Sequence, residues 1–178
     1  VDAVERAVTV FEQPPAQGLV IETPWDELML SPDQWTAAVD CLESGLDHNT
    51  ARSQLREVLV EQLAARATGE DASGSESRHA LAANDQLDAF LDEYWPVLDP
   101  ERLLRTLYSN APLLRYCARG LSLDDIDTLL QAETGETWTE SDLPLLDAAR
   151  ALVGDPHGEQ IRVQRAAALS SARTLMRQ

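Results

Sequence analysis

The chain has 178 residues, enough to bury one sizeable core, and is 44% apolar but only 5% aromatic. Its formal charge of −17 comes from 31 acidic residues, all within residues 1–160, against 14 arginines and no lysine. That surface repels phosphate backbones, so residues 1–160 are poor candidates for direct nucleic-acid binding and suit a basic partner instead.

The first element the pattern yields is a β-hairpin over residues 15–31, with Leu19-Val20-Ile21 and Leu28-Met29-Leu30 flanking a Thr23-Pro24-Trp25-Asp26 turn. Ser31-Pro32-Asp33-Gln34 then signals a helix start, a capping serine followed by proline at the first helical position. Trp35, Ala38, Val39, Leu42 and Leu46 continue one apolar stripe towards Gly45. A second stripe runs through Ala51, Leu55, Val58, Leu59 and Leu63. Residues 69–79 begin with nine positions lacking any large apolar side chain, and they read as a mobile loop because ordering them buries nothing in return.

Leu81, Leu87, Phe90, Leu91 and Tyr94 predict a helix that Trp95-Pro96 breaks. Asp99-Pro100-Glu101 opens the next, with Leu103, Leu104 and Leu107 inward, and Ala111-Pro112 restarts the chain towards Gly120. Ser122-Leu123-Asp124-Asp125 reads as a capping box with aspartate in the place of glutamate. Residues 138–156 give a helix whose stripe is Leu145, Leu146, Ala149, Leu152 and Val153, stopped by Gly154 and Pro156. A final helix over 159–178 carries Arg162, Arg165, Arg173 and Arg177 and no acid beyond Glu159. Together these predict a mainly α fold, an irregular antiparallel helical bundle with a short N-terminal β-hairpin, as a single domain over 1–178.

Chemistry is sparse. The acid pairs Asp26-Glu27, Asp92-Glu93 and Asp124-Asp125 are what so acidic a composition produces, and no sequence feature places them in a pocket. His48, His79 and His157 lack ligand spacing, and Cys41 and Cys117 are isolated, so no metal site or disulfide framework is indicated and reduced thiols in a cytoplasmic setting are expected. The glycines form no phosphate-cradling motif, and no run of about 18 apolar residues offers a membrane span. No catalytic residue and no cofactor is predicted for these residues. The four tryptophans fall at element boundaries, where core plugs are common.

Several blocks occur in the order found in one helicase group. They are the hairpin segment Leu19–Ser31, His48-Asn49-x-Ala51-Arg52, Trp95-Pro96-x-Leu98-x-Pro100-x-x-Leu103-Leu104, Leu121-Ser122, and Trp138-Thr139-x-x-Asp142-x-Pro144-Leu145-Leu146-Asp147-x-Ala149. In this the chain resembles HelD-type, UvrD-like superfamily 1 helicases over about residues 15–155. It departs from their pattern at Ala148, where those proteins usually carry glutamate.

The resemblance implies an accessory region, an insertion in the first motor domain of an ATP-dependent, helicase-like protein that binds RNA polymerase and frees it from nucleic acid. ATP and Mg²⁺ would belong to the parent protein, because the phosphate loop and the DExx box are both missing from this chain. Trp95, Pro96, Trp138, Asp142, Pro144, Leu146 and Asp147 would be the family's structural positions, with residues 138–156 forming the junction towards the motor. Asp88, Asp92, Glu93, Asp124 and Asp125 are candidate contacts to core RNA polymerase. Three alternatives are a helicase insertion guiding single-stranded DNA with the arginines of 161–178, a stand-alone acidic interaction protein, and a free-standing enzyme.

Overall fold

Helix α1 (Asp2–Val10) lies ahead of the first element that the sequence pattern predicts. Its signal is nonetheless in the chain, since Val4, Ala7, Val8 and Phe11 repeat at helical spacing; the first three are buried and Phe11 packs half-buried beside them. What α1 lacks is a side-chain cap at its start. The computed structural model describes residues 1–25, 27–67, 74–132 and 138–158; the predicted terminal helix over 159–178 lies outside them.

Strands β1 (Leu19–Glu22) and β2 (Glu27–Leu30) pair antiparallel, Leu19 opposite Leu30 and Ile21 opposite Leu28. The two-residue period turns Ile21, Leu28 and Leu30 into the core and leaves Val20 and Met29 exposed on the other face. Helix α2 (Pro32–Asp40) starts as predicted: Gln34 N donates to Ser31 Oγ at 3.3 Å, and Ser31 N donates to Gln34 Oε1 at 2.9 Å. It ends earlier than its apolar stripe. Cys41 closes it, and Leu42 and Leu46 pack half-buried from a turn in which Gly45 takes φ of 82°.

Helix α3 (His48–Ala64) is the longest described element. Of the segment 69–79 that composition marks as a loop, residues 69–73 lie outside the described residues, but Gly74–His79 belong to helix α4 (Gly74–Ala82). The reason is tertiary: α4 packs along α3, burying Ser77 and Leu81, and Arg78 pairs with Glu61 at 2.6 Å. Asn84 then caps a separate helix α5 (Asp85–Tyr94), so the single helix expected from Leu81 to Tyr94 is two.

After the predicted break at Trp95-Pro96 come α6 (Pro100–Ser109), α7 (Ala111–Cys117), α8 (Leu123–Ala132), a 3-10 turn (Glu140–Asp142) and α9 (Leu143–Val153). The protein is mainly helical with one short antiparallel hairpin, as its composition and periodicity predict.

The buried side chains form two clusters. One lobe is built from β1, β2 and α2–α5, around Trp35, Leu55, Leu59, Leu87 and Leu91. Trp35 meets Phe90 edge-on at 5.5 Å, and its buried indole N–H has no hydrogen-bond partner. The other lobe joins α1 to α6–α9 around Leu103, Leu104, Leu107, Leu114, Leu146 and Val153. The chain crosses between the lobes twice, over 11–18 and over 95–99.

Candidate functional site: an interlobe clasp and an acidic surface

The first turn of α3 reaches across to the second crossing. Asp47 fixes that turn by accepting hydrogen bonds from Thr50 N at 2.9 Å and Thr50 Oγ1 at 2.8 Å, which places His48, Asn49 and Arg52 towards residues 95–98. Opposite them, proline at 96 ends α5 and leaves carbonyls that no helix can satisfy. Three of them, at Trp95, Pro96 and Leu98, are taken up by side chains. Arg52 Nε donates to Trp95 O at 2.8 Å, His48 Nε2 lies 2.8 Å from Pro96 O, and Asn49 Nδ2 donates to Leu98 O at 2.9 Å. Asn49 Oδ1 also accepts from Leu98 N at 3.0 Å.

Trp95 closes the arrangement from the other side. Its indole N–H donates to His48 O at 3.2 Å, and its ring stacks on the imidazole with centroids 5.5 Å apart. His48, Asn49 and Arg52 are all buried, which such polar groups tolerate because every one of them is hydrogen-bonded. The first crossing joins the same point, since Glu12 Oε1 lies 2.8 Å from His48 Nδ1. Helix α9 adds a third contact: Gly154, at φ of 79°, brings its backbone against the Asp47 carboxylate.

The predicted partner-contact acids fall in two places. Asp88, Asp92 and Glu93 lie on α5 in the hairpin lobe, whereas Asp124 and Asp125 open α8 in the other. Asp92 pairs with Arg52 at 2.6 Å and Asp88 with Arg56 at 2.7 Å, while Glu93 is exposed. Asp125 is the last residue of the predicted capping box; it accepts from Ser122 Oγ at 2.6 Å, and these bonds hold its carboxyl below the usual range. Asp124 stands exposed beside it.

The motif positions near the end of the described chain serve packing. Trp138 is half-buried, donates to Glu101 Oε2 at 3.4 Å and lies under the Arg105 guanidinium. Asp142 accepts from Thr139 N at 2.8 Å and Oγ1 at 2.7 Å, which likewise depresses its carboxyl. Pro144 sits in the first turn of α9, Leu146 is buried, and Asp147 is exposed. Trp95 and Pro96 are part of the clasp. Glu12, Asn49 and Leu98 N complete it, and nothing in the sequence pattern singles out Glu12, which lies 36 residues from His48.

An open cleft of about 420 Å³ lies between the start of α6 and the end of α9, lined by Asp99, Glu101, Arg150, Asp155 and His157. Arg150 is paired with Glu101 across this cleft at 3.3 Å. Among the described residues, no three of His, Cys, Asp and Glu gather as a metal site. Cys41 is exposed; Cys117 is buried, and burial pushes its thiol up against the pull of Arg6 and Arg119, which makes it a poor nucleophile. The strand-to-helix turn Leu30-Ser31-Pro32 has no glycine, and its serine caps α2. No helix among the described residues is long and apolar enough to cross a membrane. No protein-family model and no curated protein matches the chain.

Proposed function

We propose that this chain is a non-catalytic accessory domain of a HelD/UvrD-like, ATP-dependent helicase-type motor. Its acidic surface binds a cationic region of core RNA polymerase and helps to free that enzyme from nucleic acid. A cytoplasmic setting belongs to the same proposal.

What supports this is where the arginines go. Arg52, Arg56, Arg78, Arg115 and Arg150 all face carboxylates of the same chain, while Arg6 and Arg66 donate to the carbonyls of Cys117 and Met29. In these seven arginines, positive charge is used to hold the fold together. Asp33, Asp40, Glu57, Asp85, Glu93 and Asp124 are left exposed, so the field presented outward is anionic. A channel that holds nucleic acid is cationic, and an anionic domain competes for it and is steered into it. The motif blocks support the rest by resemblance, and their side chains act here as fasteners of a scaffold.

A pull-down with core RNA polymerase across a salt series tests this. Binding is expected at low salt, weakening as salt rises, and weaker still when Glu93 and Asp124 are neutralised to Gln and Asn. No binding at low salt overturns the proposal. A single-stranded DNA shift lost on replacing Arg162, Arg165, Arg173 and Arg177 by alanine would favour the strand-guiding alternative.

A further inference from the structure

We propose that His48 is held in the clasp as an imidazolium, so that one proton fastens both crossings between the lobes. Each ring nitrogen lies 2.8 Å from an oxygen, Nδ1 from Glu12 Oε1 and Nε2 from Pro96 O. A carbonyl oxygen can only accept, and so can an ionised carboxylate. A neutral imidazole has one N–H, so it would press a bare nitrogen lone pair against an oxygen in a side chain with no solvent exposure. Only the doubly protonated ring satisfies both contacts with Glu12 ionised. Stacking on the Trp95 indole face adds to the stabilisation of the cation.

The surrounding charges are already committed. Asp47, the preceding residue, is occupied by Thr50 and packs against the uncharged backbone of Gly154 from α9. Arg52, one turn on, is directed at Trp95 O and at Asp92 of α5. From the segment after α1 the facing group is Glu12 itself, and from the 95–99 crossing it is the neutral Pro96 carbonyl.

The closed clasp therefore holds one proton more than its separated parts, a neutral histidine and an ionised glutamate. Opening it in neutral solution releases that proton to water. Because the folded state binds the extra proton, clasp stability is present on the acid side and falls as pH rises.

Nitrogen-15 NMR of the histidine rings in the full chain reads the proton directly, with Glu12→Gln as the comparison. A glutamine can donate to Nδ1 while Nε2–H donates to Pro96 O, so E12Q closes the clasp around a neutral ring. In the wild type, both His48 nitrogens should report protons at a pH where E12Q shows only one. The wild-type folding equilibrium should then fall more steeply with pH than that of E12Q, by up to about tenfold per pH unit, the limit for one proton. A wild-type His48 with a single ring N–H throughout about pH 5 to 8, or identical pH slopes in the two proteins, overturns the proposal. The ring measurement on the wild type decides the matter even if E12Q does not fold.

Discussion

In the hairpin lobe, side chains that pack together come from one continuous stretch, Leu19 to Trp95, whereas the other lobe takes Val4, Ala7 and Val8 from near one end of the chain and Leu103 to Val153 from far along it. The two also differ in chemistry. The hairpin lobe centres on aromatic contacts among Trp35, Phe90 and Tyr94, while its counterpart is mainly aliphatic at its centre, with Tyr108, Phe11 and Trp138 packed around it. Closing this second lobe requires α1 to find helices about a hundred residues away, a loop entropy cost only slightly above that of the hairpin lobe, where Glu22 of β1 meets Gln86 of α5 across 64 residues. The clasp sits where that closure is fastened. It binds the end of the α1 segment, through Glu12, to the crossing that leads into α6.

The largest expected effect is Trp35→Ala, at about 3–5 kcal/mol for removing a fully buried tryptophan. If the clasp and the packing of α3 on α9 make the lobes one cooperative unit, helical signal and tryptophan fluorescence should be lost together, at a lower denaturant concentration. Survival of a separate transition for the aliphatic lobe would show that the two lobes fold independently. Trp35→Phe should be milder than the alanine change, since it also removes an indole N–H that has no partner.

Asn49→Ala comes next. It strips both the donor and the acceptor from the backbone of Leu98, leaving buried groups worth about 1–3 kcal/mol each. Unlike the Trp35 change, it strikes between the lobes, so probes of the two should cease to coincide on denaturation. Coincident transitions at an unchanged midpoint would show that the clasp does not couple them.

Elements with local signals were legible in the sequence: the Ser31 and Ser122 capping boxes, the alternation of the hairpin and the Pro96 break. Helix α4 was not, because Gly74-Ser75-Glu76-Ser77 has weak helix propensity and is ordered by burial of Ser77 and Leu81 against α3. The His48-Asn49-x-Ala51-Arg52 block was visible as a string, but its task depends on carbonyls more than forty residues on, and those become acceptors only once proline has ended α5. The candidate contact acids were equally visible. That Asp88 and Asp92 face arginines while Asp124 does not fill such a role depends on how α5 lies beside α3.

Gly154→Ala should cost about 1–3 kcal/mol through its backbone alone, since φ of 79° with ψ of −167° is a conformation essentially confined to glycine, and the new methyl group would also run into the Asp47 carboxylate. Adding Asp47→Ala relieves that clash, so the double variant should lose less than the sum of the singles. A denaturation cycle that proves additive would mean that α9 and the α3 cap are not in energetic contact, loosening the lobes' link on this side.

The smallest effect is confined to the aliphatic lobe. Hydrogen bonds from Ser122 and Thr139 keep the Asp125 and Asp142 carboxyls depressed. A depressed carboxylate contributes stability above its unfolded value, about 3.9, and that contribution is lost as pH falls through the lower folded value. This runs opposite in sign to the clasp, which weakens as pH rises. Carbon-13 titration of the aspartates should therefore show Ser122→Ala returning Asp125 towards the ordinary range while Asp142 stays where it was, because Thr139 holds it separately. A shift of both together would tie the start of α8 to the start of α9 more closely than their separate hydrogen bonds account for.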